Sequence, residues 1–166
     1  MTIFRYKAVI PGNKIFMREY DLDAGMSLFK LHEFLNRDLG FSPDQMTVFE
    51  TISGAGKVLR RIGLFDFGDG SMDKVTVEDT FRQGERVLRY VYNMTLNLFL
   101  ELSFEGESEY NQRRSYPLLV TERGNNPSQF SAVYEDYGVS EAGRTQSEPE
   151  EDVFEEDELP EGEETM

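Results

Sequence analysis

The sequence predicts an α+β fold in which a mixed or mainly antiparallel sheet of about six strands, arranged as β-hairpin pairs, packs on one main helix. Three observations predict it. Period-two alternation opens and closes the patterned part of the chain, one stretch between them switches to spacings of three and four, and turn residues punctuate every change of period.

Residues 3 to 10 place Phe4, Tyr6, Ala8 and Ile10 on one face and Arg5 and Lys7 on the other, the signature of a half-buried strand. Pro11-Gly12 supplies a turn, since proline presets φ and glycine accepts a positive φ. Residues 14 to 22 return as the partner, with Phe16, Arg18, Tyr20 and Leu22 in one register. From Ser27 to Leu39 the apolar residues Leu28, Leu31, Phe34, Leu35 and Leu39 form a helical stripe. Ser27 is placed to cap that helix, Met26 to staple onto Leu31 and Gly40 to end it. Residues 46 to 52 and 57 to 65 read as two strands joined by Ser53-Gly-Ala-Gly56, and Asp66 to Asp73 as a loop. Thr76-Val-Glu-Asp79 resembles a capping box and starts a helical turn to Phe81. Residues 86 to 92 and 97 to 105 close the pattern as a hairpin around Asn93-Met-Thr-Leu96, with Leu98, Leu100, Leu102 and Phe104 inward. The order is ββαββ(α)ββ. Residues 106 to 138, polar and rich in Tyr, Asn, Gly and Pro, are expected to wrap the domain and not to extend the sheet.

Charge divides the chain into a body, 1–138, and a tail, 139–166. The whole carries 17 basic and 32 acidic residues, a net of −15. The tail holds 12 acids against Arg144 alone, a net of −11, which leaves −4 on the body. Like charges and few apolar residues predict a disordered tail, and Val153-Phe154 with Leu159 is the one segment in it that could order on a partner. Such a balance disfavours direct contact with phosphate backbones or anionic lipid. The absence of cysteine removes disulfides, thiolate metal sites and a cysteine nucleophile. Arg5 and Lys7 interrupt the first apolar run, and no stretch approaches the roughly 20 apolar residues of a membrane span. A soluble, cytoplasmic protein is expected.

Several strings give a resemblance beyond the pattern. Leu31-His32 in the helix, Gly40-Phe41 followed by Gln45-Met46, Val77 to Tyr92 ending in aromatic-x-aromatic, Tyr116-Pro117 and Gly124-Asn-Asn-Pro127 together resemble the plasmid Ri open-reading-frame-three-like family, which some describe as transposon-passenger-like. The resemblance spans roughly residues 4 to 138. It implies no established activity; an association with mobile elements suggests nucleic-acid business, which the charge opposes. The family's aromatic pair is followed by Asp-Phe-Gly-Asp and then by a Trp and a His, where this chain has Asn93, Met94, Thr95, Leu96, Leu98 and Leu100. Phe65-Asp-Phe-Gly-Asp-Gly70 imitates that string at another place in the order.

Candidate chemistry is sparse. His32 is the only histidine, expected at the edge of the helical stripe and bonded to backbone or water. Asp66, Asp69 and Asp73 could gather a hard cation, though their spacing departs from the EF-hand rule, and a metal-dependent hydrolase built on that loop is the enzyme alternative. Gly63, Gly68 and Gly70 form no phosphate cradle, so no cofactor is expected. Arg60-Arg61 and Arg113-Arg114 are the adjacent basic pairs, and an acidic peptide, including the chain's own tail, is a ligand for Arg113 and Arg114 on charge alone. The reading that follows is a non-catalytic interaction module with an unidentified protein partner. Met94, Leu96 and Phe99 are its apolar binding candidates, Arg113 and Arg114 its basic ones, and Val153 and Phe154 those of the tail. An acidic mimic of nucleic acid, acting through the tail on a basic protein, is the further alternative.

Overall fold

Alternation in the first two strands becomes an antiparallel hairpin, β1 (Ile3–Ile10) with β2 (Asn13–Asp23), paired from Ile3↔Asp23 to Ile10↔Asn13. The computed structural model describes residues 1–132; the expected tail, with Val153 and Phe154, lies outside them, as does the expected boundary at 138. The elements that follow are α1 (Leu28–Leu39), β3 (Val48–Ile52), β4 (Val58–Gly63), α2 (Val77–Arg82), β5 (Val87–Asn93), β6 (Leu98–Ser108) and β7 (Leu118–Arg123). All seven strands join one antiparallel sheet in the order β4-β3-β5-β6-β1-β2-β7. The fold class is therefore α+β as the sequence predicts, with one strand more.

That strand corrects the expectation for residues 106 to 138. β6 runs on to Ser108, and Leu118–Arg123 pairs with β2 from Asp21↔Leu118 to Met17↔Arg123. β7 was not expected because Leu118-Leu-Val-Thr-Glu-Arg123 does not alternate; a register shift between Glu19 and Tyr20 breaks its period at Val120. Arg18 fastens it. Its guanidinium, 1% exposed, donates to the carbonyls of Arg123 (2.7 Å) and Gly124 (3.0 Å), to Asn126 Oδ1 (2.9 Å) and to the Met17 carbonyl, and lies 4.3 Å from the Phe16 ring centre. A buried cation needs this many acceptors to replace its hydration. Gly124 is required at that crossing: with φ of 82°, a Cβ there would sit 3.0 Å from the Phe16 Cα.

The helices cover one face of the sheet. Ser27 Oγ accepts from the Lys30 N–H and Gly40 closes α1 in the left-handed region, as the sequence predicts. The Thr76/Asp79 capping box of α2 is complete in both directions. Leu28, Leu31, Phe34, Leu35 and Leu39 meet Tyr6, Ala8, Tyr20, Leu22, Phe49, Leu88, Tyr90, Leu100 and Leu102 in the core. Tyr20 reaches through this layer to donate to Asp38 Oδ2 at 2.8 Å. The opposite face carries no helix and is laced by charge: Arg61 to Glu50 at 2.9 Å, Arg89 to Glu101 at 3.4 Å, Arg5 to Asp21 at 2.8 Å. Among the described residues no helix is long and apolar enough to cross a membrane.

The two sheet edges are finished differently. At β4 the loop after Gly63 turns back along the strand; Asp69 Oδ2 accepts from the Arg61 N–H (3.0 Å) and the Gly63 carbonyl accepts from the Met72 N–H (2.8 Å). Those bonds occupy backbone groups that would otherwise template another strand. At β7 the strand is six residues long and bulged.

Candidate interaction surface

Antiparallel register decides which loops meet. Val48 pairs with both Gly63 and Val91, and Asn93 pairs with Leu98, so the start of β3, the end of β4 and the β5–β6 turn lie at one end of the sheet. The segment after β7 is brought there by Gln129, which is buried: its Oε1 accepts from the Ser42 N–H at 2.7 Å, and its backbone carbonyl accepts from Asn93 Nδ2 at 2.9 Å. Four loops thus converge, and each carries large apolar side chains in solvent. Met46 is 54% exposed, Phe65 68%, Phe67 64%, Met94 50%, Leu96 51% and Phe130 58%. Soluble surfaces hold single exposed apolar residues everywhere, but six at one end is a patch of the kind that marks contact surfaces.

The backbone under this rim is fixed. Asn93 Oδ1 accepts from the Leu96 N–H at 2.9 Å, and Asn97 closes the turn at φ 54°, a value asparagine tolerates. Phe41, capping the end of α1, stacks on Tyr92 with ring centres 4.4 Å apart. The Phe67 ring occupies the space a Cβ on Gly63 would need. Of the apolar candidates read from sequence, Met94 and Leu96 stand on this rim, whereas Phe99 is half-buried on the helix-free face with the Arg89 guanidinium 4.7 Å above its ring. Met46, Phe65, Phe67 and Phe130 were missed; no periodicity marks loop residues, and their convergence exists only once the register is known.

The acids of the 66–73 loop are engaged by donors of the loop itself and of β4. Asp66 Oδ1 accepts from the Gly68 and Gly70 N–H groups (2.7 and 3.2 Å), Asp69 from Arg61, and Asp73 from the Ser71 hydroxyl (2.5 Å). Among the described residues no group of three His, Asp or Glu side chains is arranged to hold a metal ion. The hydrogen bond from Ser71 holds the Asp73 carboxyl below the usual carboxylate range, and those from Ser42 and Gln45 do the same for Asp44.

His32 departs from expectation. It is 5% exposed, and its Nδ1 lies 2.7 Å from the Tyr90 hydroxyl and 3.2 Å from Thr47 Oγ1, while Tyr90 donates to Asn36 Oδ1 at 2.6 Å. With the Tyr90 proton committed to Asn36, Nδ1 is the donor to Tyr90. Burial pushes the His32 pKa down, against a smaller upward pull from Glu33, and pushes the Tyr90 hydroxyl up. The imidazole is a bonded core element, not a boundary residue.

The basic pairs separate in role. Arg60 is tied by two bonds to buried Glu85 (2.9 and 2.8 Å), which also accepts from Thr51 Oγ1, and Arg61 pairs with Glu50. Arg113 and Arg114 make no side-chain hydrogen bond or ion pair among the described residues. Arg114 lines a groove of about 230 Å³ on the helix-free face, with Arg5, Asp21, Glu109, Tyr116 and Leu118 among its neighbours; Arg113 flanks an adjoining open hollow. The groove's two guanidiniums are matched by two carboxylates, so it offers an acidic peptide little net attraction.

No family model matches this chain, and no curated protein matches it. A crystal structure of a protein of unknown function from Methanosarcina mazei Go1 is similar in fold, with a TM-score of 0.63 and 18% identity over 73% of this chain and 69% of that one. At that identity the likeness speaks for the fold alone.

Proposed function

We propose that the chain is a non-catalytic interaction module whose docking surface for a protein partner is the apolar rim at the end of the sheet. One observation carries this reading: six large apolar side chains from four loops stand at least half exposed at one end of the sheet, on backbone held in place by Gln129 and Asn93. The groups best suited to acid, base or metal chemistry, His32 and the 66–73 aspartates, are already spent on internal bonds. Kinship with the plasmid Ri open-reading-frame-three-like family is part of the same proposal, supported by the strings at Leu31-His32, Val77 to Tyr92 and Tyr116-Pro117.

Site-specific photo-crosslinking of the full chain tests it. A crosslinker at position 96 or 46 is expected to give a discrete protein adduct from cell lysate, and one at position 57, on the β3–β4 turn at the opposite end, is expected to give none. Equal adducts from all three positions, or none from 96 and 46, would overturn the reading.

A further inference from the structure

Register also gathers side chains at the end of the sheet away from the rim. Ile3 pairs with both Asp23 and Ser108, and Asp21 pairs with Leu118, so the start of β1, the ends of β2 and β6 and the start of β7 are neighbours. The loop from β6 to β7 is fixed from within. The Asn111 carbonyl accepts from the Arg114 N–H (3.0 Å), Asn111 Oδ1 from the Arg113 N–H (2.9 Å), and the Tyr116 hydroxyl oxygen from the Asn111 N–H (3.0 Å). Loop and strands together line the groove of about 230 Å³.

The four charged side chains of this groove are not equivalent. Arg5 and Asp21 form a two-bond pair (2.8 and 3.0 Å) to which the Ser108 hydroxyl adds a third bond (3.1 Å), so their charges are spent on each other. The side chains of Arg114 and Glu109 make no hydrogen bond or ion pair among the described residues, not even with each other. The Tyr116 hydroxyl, accepting through its oxygen, keeps its proton for a further acceptor. Leu118 and Val120 supply an apolar wall. At about 230 Å³ the recess is smaller than the roughly 300 Å³ at which sites for drug-sized ligands begin, so its occupant is small.

We infer that this groove binds a free α-amino acid with an aliphatic side chain. Its carboxylate meets the Arg114 guanidinium and the Tyr116 hydroxyl, its ammonium the Glu109 carboxylate, and its side chain Leu118 and Val120. A guanidinium takes a carboxylate through two parallel bonds, which orients the ligand as well as holding it. A polyanion would meet Glu109 and Asp21 with one free guanidinium to receive it, and a plain amine would leave that guanidinium unmatched. The rim takes no part in this site.

The full chain, 15N-labelled, is titrated with L-leucine and with two truncated leucines: 4-methylpentanoate, which lacks the ammonium, and 3-methylbutylamine, which lacks the carboxylate. The expected result is a saturable shift of the Arg114, Leu118 and Val120 amides by leucine, with the Met94 and Leu96 amides unmoved. Each truncated leucine is expected to bind at least about tenfold more weakly, the loss of one charge-assisted contact. Arg114→Gln and Glu109→Gln are each expected to weaken leucine at least about tenfold, whereas Arg113→Gln, which removes the same charge one residue away, stays within about threefold. The replaced side chains carry no bond of the fold, and unchanged Tyr90 and Leu100 amides verify that each variant is folded. No saturable shift with leucine overturns the inference. So does an equal loss in Arg113→Gln, which would reduce the response to overall charge. Equal binding of 4-methylpentanoate or of 3-methylbutylamine would make the groove a carboxylate site or an amine site, and either overturns the assignment of an amino acid.

Discussion

Replacing Arg18 by methionine removes a guanidinium and keeps most of its stem. Three of its bonds, to Arg123 O, Gly124 O and Asn126 Oδ1, hold the end of β7 and the segment leading to Gln129 and Phe130 against β2. A hydrogen bond to a charged group contributes about 1.5 to 3 kcal/mol, which sets a gross loss of about 4.5 kcal/mol or more. Arg123 and Gly124 are exposed, so their freed carbonyls recover water, and relief of the buried charge offsets a further part. The expected net destabilisation is about 3 kcal/mol, or a fall of about 10 °C in Tm for a body of this size. Glu122, 4.0 Å away and 64% exposed, adds little. Urea unfolding measures the total, and hydrogen exchange locates it, with the Leu119 and Thr121 amides losing protection before those of β5. Arg18→Lys keeps the charge but not the fork and is expected to recover less than half. A loss below about 1 kcal/mol for Arg18→Met, or unchanged exchange in β7, would refute the idea that this side chain fastens the strand.

Two further perturbations follow from the same structure. His32 is held neutral, so its folded pKa lies below its unfolded one near 6.5; its contribution is fully present above that value and is lost as pH falls through it toward the depressed folded pKa. Stability measured by urea midpoints is therefore expected to decline as pH falls below about 6.5, with a shallower slope in His32→Gln; an identical slope would show that His32 is not the titrating group. Asp69→Ala takes the acceptor from the Arg61 N–H at the β4 edge, at a cost of about 1 kcal/mol, with faster exchange of that amide and more concentration-dependent association. Unchanged exchange at Arg61 would show that the edge is not capped in solution.

What could be read from the sequence followed from periodicity. The first hairpin, α1 with both caps, the α2 capping box and the closing hairpin all have local patterns, and the structure places them where those patterns point. β7 has no such pattern, because a bulged edge strand does not alternate. Arg18 stood in the inward register with Phe16, Tyr20 and Leu22, a charge in an apolar row; its meaning depended on carbonyls more than a hundred residues away. His32 likewise looked marginal on its own helix because Tyr90 and Thr47, which complete its surroundings, come from the sheet and the loop before it. Met94 and Leu96 are legible as apolar residues in a turn. Met46, Phe65, Phe67 and Phe130 joined them only through strand register and the Gln129 clamp, neither of which any single segment encodes.

On the proposed function the apolar end of the sheet serves docking and not stability. The most direct measurement is made on one preparation of Met94→Glu, Leu96→Glu, Phe130→Glu in the full chain, recording both the urea midpoint and the retention of the partner identified by crosslinking at position 96. The expected result is a stability within about 0.5 kcal/mol of the native chain, because all three side chains are at least half exposed, and a loss of retention of about tenfold or more. Undiminished retention by a variant of native stability would contradict it.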